Sequence, residues 1–189
     1  VSEAMHALNI PTTRALAAVS TGDTVYRDTS FPGGILTRVA KSHVRIGTFE
    51  YFASLNDFES VQTLSDYCIN RLYPDCLNST DKYLTFLKSV VEKQINLIAK
   101  WMSVGFIHGV MNTDNISISG ETIDFGPCAF MEAFNPNQVF SAIDANGRYR
   151  YSKQPEILLW NLMRLAETLL PLIDKNQEKA IEKVTVILK

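Results

Sequence analysis

Apolar residues at helical spacing dominate the chain after residue 55. The first such stripe predicts a helix that is capped by Asp57 or Ser60 and ends near Leu72. The second predicts the longest helix, which opens at Thr80 or Asp81 and runs to about Val104. Gly105 should end it. The inward-facing positions of this long helix are expected to be Leu84, Leu87, Val91, Ile95 and Ile98.

Two further helices are predicted near the carboxyl end. One covers residues 156–173, with Pro155 near its first turn and Pro171 marking its end or a kink. The last begins at about Asn176. Between residue 127 and residue 153 the sequence is rich in Asn, Pro and Gly, and we expect irregular structure there.

The first third of the chain carries strand signals after a short amphipathic helix. Apolar positions of that opening helix are Ala4, Met5, Leu8 and Ile10. A strand should follow Pro11, turn at residues 21–23, and return through residues 24–28 as a hairpin. Residues 35–47 read as an extended segment that leads into the helices. A second small hairpin is predicted around Gly120. The fold class is therefore α+β, mostly α.

Composition narrows the function only slightly. The chain has 189 residues, 46% of them hydrophobic and 20% charged, and a net charge of −2. This balance gives no global field that would attract nucleic acid or an anionic membrane. No apolar run reaches the roughly 20 residues that span a bilayer. Three cysteines without metal-ligand spacing favour reduced thiols over a Cys68–Cys76 pair.

The strongest chemical signal is a set of three oxygen-bearing side chains, Asp114, Asn115 and Asp124. They stand at the two ends of the second predicted hairpin, and Asp124 opens an Asp-Phe-Gly run. Mg²⁺ prefers oxygen ligands and takes few from protein, leaving the rest to water and phosphate. Protein kinases hold metal with a loop Asn and the Asp of Asp-Phe-Gly. The alternative is ordinary turn chemistry, in which Asp and Asn bond to their own backbone.

His108 precedes this set, and the residue two places after it is informative. A kinase has its catalytic Asp there, whereas this chain has Val110, which cannot accept a proton. The protein is therefore either catalytically dead or uses another base, and Asp114 is the nearby carboxylate that could serve. His108 itself is expected to brace the loop through backbone hydrogen bonds. Trp101 and Trp160 lie on helical stripes and are expected in the core.

Three long stretches carry a resemblance to a known family. They are "RVAKSHVRIGTFEYFA", "GFIHGVMNTDNISISGETIDFGPCAFME" and "GRYRYSKQPEILLWNLMRLAETLLPLI". The chain resembles the selenoprotein O (SelO) family along nearly its whole length. That resemblance implies a kinase-like fold without the usual catalytic Asp. It also implies transfer of AMP from ATP to Ser, Thr or Tyr hydroxyls of proteins, with Mg²⁺ or Mn²⁺ as cofactor.

The resemblance also implies residue roles. Asp114 matches the family's catalytic base, and Asn115 and Asp124 match its metal ligands. Arg38 and Arg45 match two arginines that contact the nucleotide, a role that suits guanidinium groups. Without the resemblance, a solvated or ion-paired face is the simpler interpretation of these two arginines. Lys41 between them has no counterpart and is expected to face solvent.

The same resemblance sets the expected organisation. Residues 1–50 would be a remnant of the kinase-like small lobe and hinge, and residues 51–189 the helical large lobe with its catalytic and metal-binding loops. The family's glycine-rich segment, phosphate-binding Lys and partner Glu have no counterpart here. We therefore expect a fragment, largely without its small lobe, that is inactive alone and self-associates through exposed apolar surface.

Partners and rival functions follow from the same reasoning. The expected partners are ATP and protein substrates that carry hydroxyl groups, with no nucleic acid and no membrane. The expected compartment is the cytoplasm if the protein is bacterial and the mitochondrion if it is eukaryotic. The rival hypothesis is a non-catalytic pseudokinase scaffold, which Val110 favours. An ordinary kinase is a third hypothesis, weakened because Asp114 lies four residues beyond the usual base position.

Overall fold

The computed structural model describes all of residues 1–189. Its α-helices are α1 Ser2–Ala7, α2 Ile46–Ser54, α3 Phe58–Leu72, α4 Lys82–Ser103, α5 Gln154–Ile173 and α6 Gln177–Leu188. Its strands are β1 Arg14–Tyr26, β2 Ser30–Val39, β3 Phe106–Ile107 and β4 Ala129–Phe130. Short 3₁₀ helices lie at Pro74–Asn78, Thr113–Asn115 and Tyr151–Lys153. The predicted α+β class is confirmed, with roughly half of the residues helical and two small antiparallel sheets.

The long hairpin of β1 and β2 differs from the predicted one. Its strands pair from Arg14 opposite Val39 to Tyr26 opposite Ser30, so the chain reverses at residues 27–29. The expected turn at residues 21–23 is wrong, because those residues form a register shift inside β1. Gly22, with φ of 78°, takes the left-handed conformation that such an irregularity needs. A local glycine signal does not distinguish a bulge from a turn.

Helices α4 and α5 form the centre of the helical part, and α2, α3 and α6 pack around them. The core contains Phe49 of α2, Phe86 and Trp101 of α4, and Leu165 of α5, all at most 1% exposed. Trp101 packs edge-on against Phe106 of β3, with ring centroids 5.4 Å apart. None of the helices combines the length and the apolar character that crossing a membrane would require.

Helix boundaries agree well with the sequence signals. Asp57 caps α3 by accepting a hydrogen bond from the backbone N–H of Ser60 at 3.0 Å. Asn176 caps α6 in the same way, through the N–H of Lys179. Helix α4 ends just before Gly105, whose φ of 67° suits a glycine stop.

Two predicted core positions are wrong, and the opening helix is shorter than predicted. Leu8 is 50% exposed because α1 ends before it, at Ala7. Ile95 is 53% exposed, and the amide of Gln94 takes the buried position beside it. Trp160 is 37% exposed on α5, where the guanidinium groups of Arg148 and Arg164 lie 4.8 and 5.8 Å from its ring. The position of a residue on the apolar face of a helix does not by itself predict its burial, because burial also depends on which other segments pack over that face.

Candidate active site

His108 joins two loops that carry the candidate residues. Its Nε2 lies 2.7 Å from the carbonyl oxygen of Ile123, the residue before Asp124. A carbonyl oxygen only accepts, so Nε2 carries the proton, and Nδ1 accepts from the N–H of Val110 at 3.4 Å. Burial lowers the pKa of His108, which keeps the ring neutral. The expected bracing role of His108 is confirmed by these contacts.

Asn115 is attached to the same loop. Its side-chain Nδ2 donates to the carbonyl oxygen of Val110 at 2.9 Å, and its backbone N–H donates to the carbonyl of Asn112. Since Nδ2 is committed to Val110, the orientation of the amide is fixed and Oδ1 is left without a partner. A continuous series of hydrogen bonds therefore runs from Asn115 through Val110 and His108 to the residue before Asp124.

Two buried side-chain amides of α5 form hydrogen bonds with the backbone of this loop. Gln154, fully buried, accepts from the N–H of His108 at 3.0 Å and donates to the carbonyl of Phe106 at 2.9 Å. Two helical turns further along α5, Asn161 donates to the carbonyl of Met111 at 2.9 Å. Both ends of the segment 106–111 are thereby bonded to a rigid helix. A buried amide that satisfies backbone groups specifies one geometry rather than an ensemble.

The segment between the candidate residues is a tight turn closed by one antiparallel bridge, shorter than the predicted hairpin. Isolated bridges join Ile116 to Thr122, and Thr122 also pairs with Thr12. Buried side chains of α4 and of Tyr73, the residue that follows α3, fix the turn through hydrogen bonds. These are Gln94 to the Ser117 carbonyl (2.5 Å), Tyr73 to the Ile118 carbonyl (2.6 Å) and Trp101 to Thr122 Oγ1 (2.9 Å).

The carboxylates themselves face solvent. Asp114 and Asp124 are both exposed and Asn115 is partly buried. No hydrogen bond or ion pair of the chain engages either carboxylate. Asp124 has φ of 63°, in the left-handed region that few residues other than glycine adopt. Such a conformation costs free energy and persists where the surroundings impose it, as at functional sites. The carbonyl of the preceding residue, Ile123, is held by His108.

The two candidate arginines have different surroundings. Arg45 is the N-cap residue of α2 and forms a bridge with Ser117, which places it beside the Asp114 loop. Its Nε is buried and has no hydrogen-bond partner. Arg38 lies on the exposed hairpin, opposite Ala15, and no hydrogen bond of its side chain joins it to the other candidates. Lys41 is exposed, as expected.

The donor set suits a hard divalent cation that keeps most of its ligands from elsewhere. Nowhere in the chain do three or more His, Cys, Asp or Glu side chains converge to hold a metal by themselves. The unpaired Oδ1 of Asn115 and the free carboxylate of Asp124 supply two oxygens. That is the number Mg²⁺ commonly takes from a protein when phosphate and water complete the shell. The chemistry of these two donors is compatible with a hard divalent cation.

The cysteines do not contribute to this site as nucleophiles. All three are free thiols. Burial raises the pKa of the Cys68 thiol to about 12 and raises that of Cys128. Both groups stay protonated at neutral pH, and the thiolate is the reactive form.

Sequence reasoning missed Gln94, Gln154 and Asn161, which hold the loops of the candidate site through hydrogen bonds. All three are amides at buried positions of a helix, and that position was the available signal. Polar groups on a buried stripe need partners, so they point to backbone that the helix must satisfy.

Comparison with known proteins identifies the family of the chain. The family described as "Protein adenylyltransferase SelO" matches residues 1–187. The chain belongs to that family. The resemblance drawn from the three sequence stretches is confirmed.

Individual relatives are bacterial proteins named "Protein nucleotidyltransferase YdiU". The chain is 59% identical over 188 residues to the one of Agrobacterium fabrum, covering all of this chain and 39% of the relative. It is 60% identical over 188 residues to that of Bradyrhizobium diazoefficiens, covering all of this chain and 38% of the relative. It is 56% identical over 182 residues to that of Shouchella clausii, covering 96% and 37%. The chain thus spans about two fifths of the length of these relatives.

Proposed function

We propose that the protein containing this chain is a metal-dependent protein adenylyltransferase with a kinase-like fold. It transfers AMP from ATP to Ser, Thr or Tyr hydroxyls of proteins. The observation that carries the proposal is the hydrogen-bonded series from Asn115 to Ile123, which ties both candidate metal ligands to one rigid frame. The names of the family and of its relatives support nucleotidyl transfer to protein.

Each candidate residue has a role that its chemistry allows. Asn115 and Asp124 hold Mg²⁺ or Mn²⁺, which supplies positive charge against the phosphate oxygens when it is bound. Asp114 accepts the proton of the attacking hydroxyl. The hydroxyl oxygen bonds to the α-phosphorus of ATP, the bond from that phosphorus to its bridging oxygen breaks, and pyrophosphate leaves. Arg38 and Arg45 neutralise phosphate oxygens through their guanidinium groups.

The loop also explains why a kinase base is not needed. Val110 occupies the kinase base position and contributes only its backbone, through bonds to His108 and Asn115. Asp114 is exposed and free of intramolecular bonds, so its carboxylate is available to a substrate hydroxyl. The organisation follows the same scheme, with residues 1–50 as small-lobe remnant and hinge and residues 51–189 as large lobe. We expect the 189-residue chain alone to transfer little, and we place the protein in the bacterial cytoplasm.

One alternative has an observation in its favour. Val110 removes the ordinary catalytic carboxylate, which would also suit a scaffold that binds ATP and partner proteins without transferring anything. The two functions differ in a simple outcome, because a scaffold leaves no AMP on any protein.

The test is incubation of the full-length gene product with ATP labelled at either the α- or the γ-phosphate, in Mg²⁺ or Mn²⁺. Adenylyl transfer labels protein from the α-position alone, and Asp124→Ala abolishes the label. Asp75→Ala, at another exposed aspartate without a side-chain bond, is the matched control and should label normally. Label from the γ-position alone would indicate kinase chemistry. ATP binding without label in either metal would indicate the scaffold.

A further inference from the structure

Gly47, in the first turn of α2, lies directly against the side chain of Asp114. A Cβ atom built on Gly47 would meet Asp114 Oδ1 at 2.3 Å and Cγ at 3.0 Å, and the Asp114 backbone nitrogen at 3.3 Å. The first distance is far below van der Waals contact. The backbone of Gly47 has no positive φ, so space and not conformation requires glycine here.

The backbone on both sides of this contact is fixed. The N–H of Ile46 donates to the carbonyl of Ile116 at 3.0 Å, and the N–H of Ile118 donates to the carbonyl of Val44 at 2.9 Å. Arg45 bridges Ser117 between these two bonds. Helix α2 and the loop that follows Asp114 are therefore held together, and neither can retreat from an added methyl group without breaking a bond.

The part that can yield is the Asp114 carboxylate, which no hydrogen bond or ion pair holds. Rotation about its side-chain bonds costs little and removes the two shortest contacts. The backbone nitrogen at 3.3 Å then needs to shift by only a few tenths of an ångström, so the fold should tolerate a methyl group at position 47. The carboxylate would then leave the space beside the first turn of α2. A general base must be within hydrogen-bond reach of the proton it removes, so such a displacement affects catalysis and not folding.

We propose that Gly47 is a positioning residue for the transfer reaction, because its missing side chain leaves the space in which Asp114 holds its carboxylate toward the substrate hydroxyl. This inference rests on the proposed function through the role of Asp114. It assigns Gly47 no contact with ATP or metal. Nucleotide binding should therefore survive its substitution.

The experiment is a double-mutant cycle in the full-length gene product with Gly47→Ala, Asp114→Ala and the double variant. Gly47→Ala should lower kcat at least about tenfold, since general bases commonly contribute 10²–10⁴-fold, and leave the KM for ATP within about twofold. In the Asp114→Ala background the same substitution should change the residual rate by less than about twofold. Gly34→Ala, where an added Cβ meets its nearest neighbour at 3.5 Å, is the matched control and should retain wild-type kcat.

Thermal melting gives a second readout that does not depend on activity. Alanine normally stabilises a helix relative to glycine. Gly47→Ala should raise Tm more in the Asp114→Ala background than in the wild type, where the methyl group displaces the carboxylate. An unchanged kcat, or equal effects in the two backgrounds, would overturn the role of Gly47 while leaving adenylyl transfer intact. A wild-type protein that transfers no AMP would instead overturn the proposed function, and the melting cycle would still test the contact.

Discussion

His108 Nε2 donates to the carbonyl oxygen of Ile123 at 2.7 Å, and this bond connects the two halves of the candidate site. Ile123 precedes Asp124, and the other ring nitrogen of His108 accepts from the residue that bonds to Asn115. The ring stacks on Trp101, with centroids 5.4 Å apart, which fixes its plane from the core. A neutral, buried imidazole thereby positions both candidate ligands without touching metal or substrate.

His108 should make stability depend on pH. Burial lowers its folded-state pKa below the ordinary value of about 6.5, so the unfolded chain takes up a proton first as pH falls. Its contribution is therefore complete above pH ~6.5 and decreases as pH falls below that value, by at most about 1.4 kcal/mol per pH unit. Urea titrations at pH 7.5 and 5.5 should show a lower free energy of unfolding at pH 5.5.

The matched variant is His108→Gln, which keeps a donor of similar length but does not titrate. It should be less stable than wild type at pH 7.5 and should lose less stability on acidification. An equal loss in wild type and variant would show that other groups cause the pH dependence.

Gln154→Glu should lower the free energy of unfolding, because Gln154 bonds to the backbone of the loop that contains His108. The buried side chain would still accept from the N–H of His108, but it would present an oxygen to the carbonyl of Phe106 instead of a donor. A buried carboxylate without a cationic partner costs several kcal/mol, and we expect a loss of about 2–4 kcal/mol at neutral pH. Chemical denaturation measures the loss. Gln62→Glu, at an exposed position of α3, should change stability by no more than about 0.5 kcal/mol.

The β1–β2 hairpin predicts self-association of the 189-residue chain. Ile35 and Leu36 point to opposite faces of the hairpin and are 62% and 57% exposed. A two-stranded hairpin with apolar side chains on both faces is marginally stable alone and favours association. Sedimentation velocity should show concentration-dependent oligomers, which Ile35→Thr with Leu36→Thr reduces.

Ile143→Thr is the matched control, because Ile143 is 87% exposed in a loop away from the hairpin. It should leave the oligomers unchanged. A chain that stays monomeric at high concentration, or equal effects of the hairpin and loop substitutions, would contradict the prediction.

Sequence reasoning located the helices better than the strands, for a physical reason. Helix boundaries depend on local groups, and Asp57 and Asn176 act as caps within three residues of their own position. The hairpin turn depends on register between distant residues, so Gly22 appeared to be a turn and is a bulge.

The site shows the same division between local and distant contacts. Asp114, Asn115 and Asp124 could be selected from the sequence because their chemistry is local and their spacing matches a known pattern. The residues that hold them could not. Gln154 contacts His108 across 46 positions, and Gly47 contacts Asp114 across 67. Their roles exist only once α2 and α5 have packed against the loops.

The central claim is that Asn115 and Asp124 hold one divalent cation together with the phosphates of ATP. Calorimetric titration of Mn²⁺ into the full-length gene product with a non-hydrolysable ATP analogue tests it most directly. Asn115→Ala and Asp124→Ala should each weaken Mn²⁺ binding at least about tenfold, whereas Asn112→Ala, an exposed asparagine of the same loop, should bind as the wild type does. Wild-type affinity in both Asn115→Ala and Asp124→Ala would contradict the shared site.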